Sequence, residues 1–401
     1  MSIYAFAEKS NGKVKRIYAN TKYPSQQDGN ILFDSDDKID LKYADELPLR
    51  VKGCYSAVAF RSKYILLSRD VIGGRPLYYH PSSLTVSSFK NYFEEEPVEV
   101  MPGEVLKLDY DGSLISRKTY SFEEVFPKEE ADVEELVERI EKALTSFNPG
   151  TACLAFSGGV DSSLLASLYD VQLISVTASE KEKEWVKNAA KQIGKDLEIF
   201  TFGEEDVRNA LPEVIAAIET CDPLQVSIAI PIYMALKFAK ELGYSRIVFG
   251  QGADELFGGY KKYEALEGKE LEEQLRSDVK NLGKDNLVRD VKLGYSFEMK
   301  LITPYLQWDV IKAGLNIPIE YKVRKVDGNI IRKYILRELA LKYIPKEIAY
   351  RDKKAVQYST KTSNILMKIA RREGMKIREY LQKYSKKYVR KTEDGKEFWG
   401  I

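Results

Sequence analysis

The chain has 401 residues, enough for two cores, and 62 Lys and Arg against 61 Asp and Glu leave a formal net charge of +1. That balance argues against an extended nucleic-acid surface, and a single histidine, His80, gives no footing to Ser-His-Asp chemistry. Cys54, Cys153 and Cys221 form no C-x-x-C pair, which argues against a zinc or disulfide framework and fits a cytoplasmic setting, and no apolar run approaches the ~18 residues of a membrane span.

Residues 1 to about 125 alternate short apolar runs (Ser2 to Ala7, Tyr55 to Phe60, Tyr64 to Ser68, Leu84 to Ser87, Glu104 to Leu108) with turn signals such as Asn11-Gly12, Gly73-Gly74 and Asp111-Gly112. The pattern predicts a mostly antiparallel β domain over residues 1–127. Lys128 to Ala131 is a charged joint to a second domain, 128–401. Asp132 with Glu135 makes a capping-box-like start, followed by Val133, Leu136, Val137, Ile140, Leu144 and Phe147 on one helical face. From Thr151 strands and helices alternate. Strands are expected at Thr151 to Phe156, Val171 to Thr177 (which carries Val176), Leu197 to Phe202 and Arg246 to Phe249. Helices are expected from Ser162 to Tyr169, from the Ser179-x-x-Glu182 cap to Gly194, from about Val207 to Thr220, and from Pro231 as a first residue to Gly243. This α/β alternation predicts a doubly wound parallel sheet, with a helical, strongly charged part after residue 260.

Two glycine-rich turns leave the ends of predicted strands. The first is Phe156-Ser157-Gly158-Gly159-Val160-Asp161-Ser162-Ser163. Its glycines let the backbone turn tightly, so that amide N–H groups and a positive helix end can face an anion. The serine hydroxyls add donors, and Asp161 supplies the hard oxygen that Mg²⁺ prefers. The second is Gly250-Gln251-Gly252-Ala253-Asp254-Glu255-Leu256-Phe257-Gly258-Gly259-Tyr260. Ligands of open α/β sheets sit beyond the carboxyl ends of the strands, so both loops are expected to face one pocket, with Asp161 and Asp254 holding Mg²⁺ between them.

The string S-G-G-V-D-S-S after an apolar strand resembles the pyrophosphate loop of the N-type ATP pyrophosphatases, and Gly250 to Tyr260 is similar to the S-G-E-G-x-D-E-x-F-G-G-Y segment of asparagine synthetases. Further blocks agree in order. They are Arg69-Asp70-x-x-Gly73-x-x-Pro76-Leu77-Tyr78-Tyr79, Pro102-Gly103, Asp285-Asn286-Leu287-Val288-Arg289, Lys333-Tyr334-Ile335-Leu336-Arg337, Ile344-Pro345 and Arg351-x-Lys353. The resemblance spans about residue 45 to about residue 365. It implies a synthetase that adenylates a carboxylate with ATP and Mg²⁺ and lets an amine displace AMP, behind a glutaminase-like N-terminal domain. Ser157, Gly159, Asp161 and Ser162 match the family's pyrophosphate contacts. Gly158, Ser163, Val176, Gly250, Gln251 and Gly252 complete the nucleotide set, Asp161 and Asp254 are the metal ligands, and Lys333 steadies the transferred phosphate.

Two departures qualify what the resemblance implies. The family's glutaminase nucleophile is a cysteine at position 2, where this chain has Ser2, and residues 1–45 lack any N-G-E-x-Y-N segment. The N-terminal domain therefore reads as a degenerate scaffold. The family's E-x-R-x-P motif falls, without gaps, on Lys300-Leu301-Ile302-Thr303-Pro304, so that Lys300 stands beside the acyl-adenylate as a candidate catalytic residue, with Gln307 in place of an Asp. The expected function is an AMP-forming carbon–nitrogen ligase acting on ATP, a small carboxylate, and ammonia or an amine. Ammonia-dependent asparagine synthesis and a non-catalytic ATP-binding regulator are the alternatives. A homodimer and a separate ammonia-supplying partner stay open.

Overall fold

The computed structural model describes residues 2–10, 13–326, 328–352, 355–391 and 397–399, so the expected Asn11-Gly12 turn and Lys353 lie outside the described residues. The N-terminal part is two antiparallel sheets. The first has the order β2-β1-β8-β7-β9, formed by β1 (Ile3–Ser10), β2 (Lys13–Thr21), β7 (Tyr78–His80), β8 (Thr85–Ser87) and β9 (Val98–Glu99). The second has the order β11-β10-β6-β5-β4-β3, formed by β3 (Gln26–Asp28), β4 (Ile31–Ser35), β5 (Tyr55–Phe60), β6 (Ile65–Arg69), β10 (Glu104–Leu108) and β11 (Leu114–Thr119).

β5 is buried along its whole length because its two faces serve two cores. Val58 and Phe60 pack with Ile3, Ala5, Leu67 and Leu106 between the sheets, while Tyr55, Ala57 and Ala59 join the main core that continues to the second half of the chain. An apolar run without polar alternation follows from this.

The second half is built on a parallel sheet of β12 (Cys153–Ala155), β13 (Gln172–Thr177), β14 (Leu197–Thr201), β15 (Arg246–Val248) and β16 (Lys300–Ile302) in the order β14-β13-β12-β15-β16. The sheet grows outward from its first strand in both directions, so β12 and β15 are neighbours and the chain diverges beyond their carboxyl ends. The three-residue edge strand β16 is an addition to the expected set.

Helices cover Val133–Ser146, Val160–Leu168, Glu180–Gln192, Glu204–Ile218 and Pro223–Glu241. The last corrects one expectation, because Pro231 lies inside this helix. Its start is Asp222-Pro223, where the Asp222 carboxylate accepts from the N–H groups of Leu224 and Gln225 and Pro223 occupies the first turn, where a missing N–H costs nothing. Neither Asp132 nor Ser179 forms the expected side-chain cap. A hairpin, Val323–Val326 with Asn329–Arg332, precedes the helix Tyr334–Ala340. Among the described residues no single helix is long and apolar enough to cross a membrane.

Candidate active site

Both glycine-rich loops leave adjacent strands, the first from β12 and the second from β15. They touch: a Cβ on Gly250 would lie 3.1 Å from the Asp161 Cβ. Gly158 has φ +63, and a side chain there would meet Trp185 at 2.6 Å. Gly252 (φ +90) opens the helix Ala253–Phe257 and Gly258 (φ +75) closes it, both in the left-handed region where glycine carries no Cβ penalty. Asp161 therefore begins one helix and Asp254 another, on two loops in van der Waals contact.

Lys333 completes the arrangement from a distant part of the chain. Its side chain is 2% exposed, and Nζ lies 2.6 Å from Asp161 Oδ2 and 2.8 Å from Asp254 Oδ1. Burial lowers the pKa of this amine from the usual lysine range while Asp161 opposes the shift, and two carboxylates at contact distance keep it an ammonium. Tyr305 donates to the Asp161 carbonyl at 2.9 Å, fixing the first helical turn from the segment that follows β16.

The phosphate loop is braced on its outer side. Arg351 donates to the Ser157 carbonyl at 2.8 Å, pairs with Glu182 and lies 4.4 Å from the Trp185 ring centroid, and Trp185 Nε1 donates to the Gly158 carbonyl at 3.0 Å. Inside the loop, Ser157 and Ser162 hydroxyls are 3.0 Å apart and Ser162 Oγ also accepts from the Ser157 N–H. Ser163 is fully buried, and its hydroxyl has no hydrogen-bond partner among the described residues. Val176 is half-buried on β13, one residue from that strand's carboxyl end. Gln251 reaches Asp290 at 2.8 Å, and Asp290 in turn holds Arg289 at 2.7 Å. Buried Glu255 accepts from the Tyr260 hydroxyl at 2.5 Å, and burial raises its pKa.

The donor set fits a hard divalent cation. Two carboxylates converge on one cation position, and the second oxygen of Asp161 is buried without a hydrogen-bond partner among the described residues. Those residues contain no group of three or more His, Cys, Asp and Glu that could enclose a metal, which suits Mg²⁺ held by one or two carboxylates plus phosphate oxygens.

Asp161, Asp254 and Lys333 thus meet in space. Lys300 does not join them. It opens β16 in register with Arg246, the first residue of β15, whereas the second glycine loop leaves the other end of that strand. At about 3.3 Å per residue this sets Lys300 back from the cluster, and its ammonium pairs with Asp36 of the N-terminal part. Reversing that charge as Lys300→Glu is expected to lower stability by ~0.5–1 kcal/mol, recovered in the double variant with Asp36→Lys, as thermal melts would show. Altered carboxylate preference without a stability change would return Lys300 to the site.

Trp185, Glu182, Tyr305 and Gly259 were not legible as site residues. Glu182 has the spacing of a helix cap and spends its carboxylate on Arg351 instead.

A parallel sheet with this cluster at its carboxyl edge is the framework of a nucleotide-dependent enzyme. The asparagine synthase family model matches residues 133–273 and 267–392, and the chain belongs to that family. It is 29% identical to a protein of Methanocaldococcus jannaschii named putative asparagine synthetase [glutamine-hydrolyzing] 1, over 94% of this chain and 83% of that one. It is 28% identical to asparagine synthetase [glutamine-hydrolyzing] 1 of Lotus japonicus over 73% of this chain, and 28% identical to the root asparagine synthetase [glutamine-hydrolyzing] of Pisum sativum over 78%. The chain spans 55% and 59% of the two plant proteins. It is an enzyme, an ATP-dependent amide ligase, so the reading as a non-catalytic regulator falls away.

Proposed function

We propose that this ligase cleaves ATP between its α- and β-phosphates, adenylates a carboxylate, and passes the acyl group to ammonia or an amine without using glutamine. The observation that carries the reading is the meeting of Asp161, Asp254 and Lys333 where the two glycine loops touch. In this reading residues 1–127 are a glutaminase-like scaffold without its chemistry, and 128–401 carry the ligase. The N–H groups of the Gly158–Val160 turn and the Ser157 and Ser162 hydroxyls receive the departing pyrophosphate. Those hydroxyls bond each other in the free protein, so turning outward costs little structure. Lys333, a point charge on a flexible stem, follows the charge that develops on the α-phosphate. Asp161 and Asp254 would hold Mg²⁺, which neutralises phosphate charge when bound.

The nitrogen source follows from Ser2. It is fully buried, and its hydroxyl is bonded to Ser25 and to Tyr295, whose own hydroxyl donates to Asp34 at 2.5 Å. A hydroxyl is a weaker nucleophile than a thiol, and this one already has its partners. Relatives carry glutamine-hydrolyzing in their names, which makes the donor the point to test.

Labelled pyrophosphate should exchange into ATP when the right member of a panel of mono-, di- and tricarboxylates is present, and glutamine with ATP should release no glutamate above background. ADP formation would refute the adenylation step, and glutamate release that Ser2→Ala removes would refute the donor assignment. Exchange with aspartate, and asparagine formed from ammonia, would make the enzyme an ammonia-dependent asparagine synthetase.

A further inference from the structure

The Lys333 ammonium lies between the two carboxylates assigned to the metal, and three features of the chain hold it there. Its backbone is in the left-handed region (φ 55, ψ 35), an uncommon conformation for a residue with a side chain and one that surrounding structure must enforce. The residue before it, Arg332, is tied to the Gly259 carbonyl at 2.8 Å and to Glu264 at 3.0 Å. Gly259 leaves open the space into which the Lys333 stem and the Asp254 carboxylate pass. A long lysine side chain ordinarily keeps much of its rotamer freedom, so a position fixed from three sides is a built one.

We infer that Lys333 is a placeholder cation. Without nucleotide its ammonium occupies the place between Asp161 and Asp254, so the divalent ion enters together with ATP, and the ammonium is then released toward the α-phosphate. The inference rests on the ATP–metal reading above. Two cations cannot share the point between the carboxylates, and two carboxylates with no cation would repel each other. Free Mg²⁺ would have to displace an ammonium held by two charge-assisted contacts while giving up hydration it loses reluctantly. A triphosphate changes that balance twice, by supplying further oxygen ligands and by offering Lys333 a new anionic partner.

Mg²⁺ alone is the probe, titrated by calorimetry and by thermal shift against EDTA into nucleotide-free wild type, Lys333→Met and Lys333→Gln. Wild type is expected to bind weakly and to show no Mg²⁺-dependent rise in melting temperature. Both variants are expected to bind at least about tenfold tighter and to melt higher with Mg²⁺ than in EDTA. A Met variant that folds only with Mg²⁺ supports the same conclusion, and the Gln variant supplies the affinity comparison in that case. Equal affinities in wild type and variants overturn the placeholder. The comparison needs no turnover, so equal affinities count against the placeholder even where pyrophosphate exchange is intact, whereas absent exchange overturns the underlying reading whatever the affinities.

Discussion

Asp161→Asn should reduce ATP–pyrophosphate exchange by at least about a hundredfold, on the scale of losing a preorganised charge at a phosphoryl-transfer site. The same substitution should cost little of the fold. Asn keeps an oxygen where the Asp161 carboxylate stood, the Tyr305 hydroxyl bonds the backbone carbonyl rather than the side chain, and Lys333 retains Asp254 at 2.8 Å. Removing the lysine is the harsher change for stability. Lys333→Met leaves two carboxylates facing each other without their cation, and breaking a buried pair by deleting one partner typically costs ~3–5 kcal/mol. The expected order is therefore a near-normal melting temperature for Asp161→Asn and a clearly lowered one for Lys333→Met in EDTA, with exchange lost in both. An Asp161→Asn protein that exchanges pyrophosphate like wild type, or melts below Lys333→Met, contradicts the assignment of these groups.

The parts of the fold that could be read from the sequence are those whose burial leaves a plain mark. Tyr55–Phe60 and Glu104–Leu108 appear in the structure with the bounds their composition predicts, because neighbours cover them on both faces or nearly so. Lys13–Thr21 and Leu114–Thr119 could not be read that way. Each is an outermost strand of its sheet, and every residue of Leu114–Thr119 is exposed, so no apolar alternation marks it. Lys300–Ile302 is too short to carry a period at all and exists as a strand through its pairing with Arg246–Val248.

The site divides in the same way. Asp161, Asp254 and Lys333 stand in local contexts that fold into loops and a helix start, so each could be singled out within its own stretch. Their sharing of one ion cluster depends on the contact between Gly250 and Asp161 and on the left-handed turn at Lys333, neither of which a linear pattern encodes. Lys300 shows the opposite case. Its place in an ungapped motif was legible, but the partner that captures its charge, Asp36, comes from the N-terminal part, which only the tertiary structure brings alongside.

Gly259→Ala should fold and yet lose about a hundredfold in exchange, the order expected when a reacting group is misplaced by ~1 Å. An added Cβ would lie 1.8 Å from Asp254 Oδ1, 2.2 Å from Lys333 Cε and 2.9 Å from Asp254 Cγ, all well inside contact distance. The backbone has little room to yield. The Gly259 N–H donates to the Asp254 carbonyl at 2.8 Å, and its own carbonyl accepts from Arg332 at 2.8 Å. The strain therefore falls on the two side chains, and either the Asp254 carboxylate turns away or the Lys333 stem withdraws. Overpacking by one methyl costs ~1–3 kcal/mol, which a chain with a core running through both halves can bear. The melting temperature should accordingly fall by less than in Lys333→Met, while exchange falls as far as in Asp161→Asn. Such a split between stability and turnover is what a glycine kept for space around a catalytic lysine predicts. If Gly259→Ala exchanges pyrophosphate at the wild-type rate, the carboxylates and the lysine do not need this contact geometry, and the cluster cannot be the phosphate-handling centre.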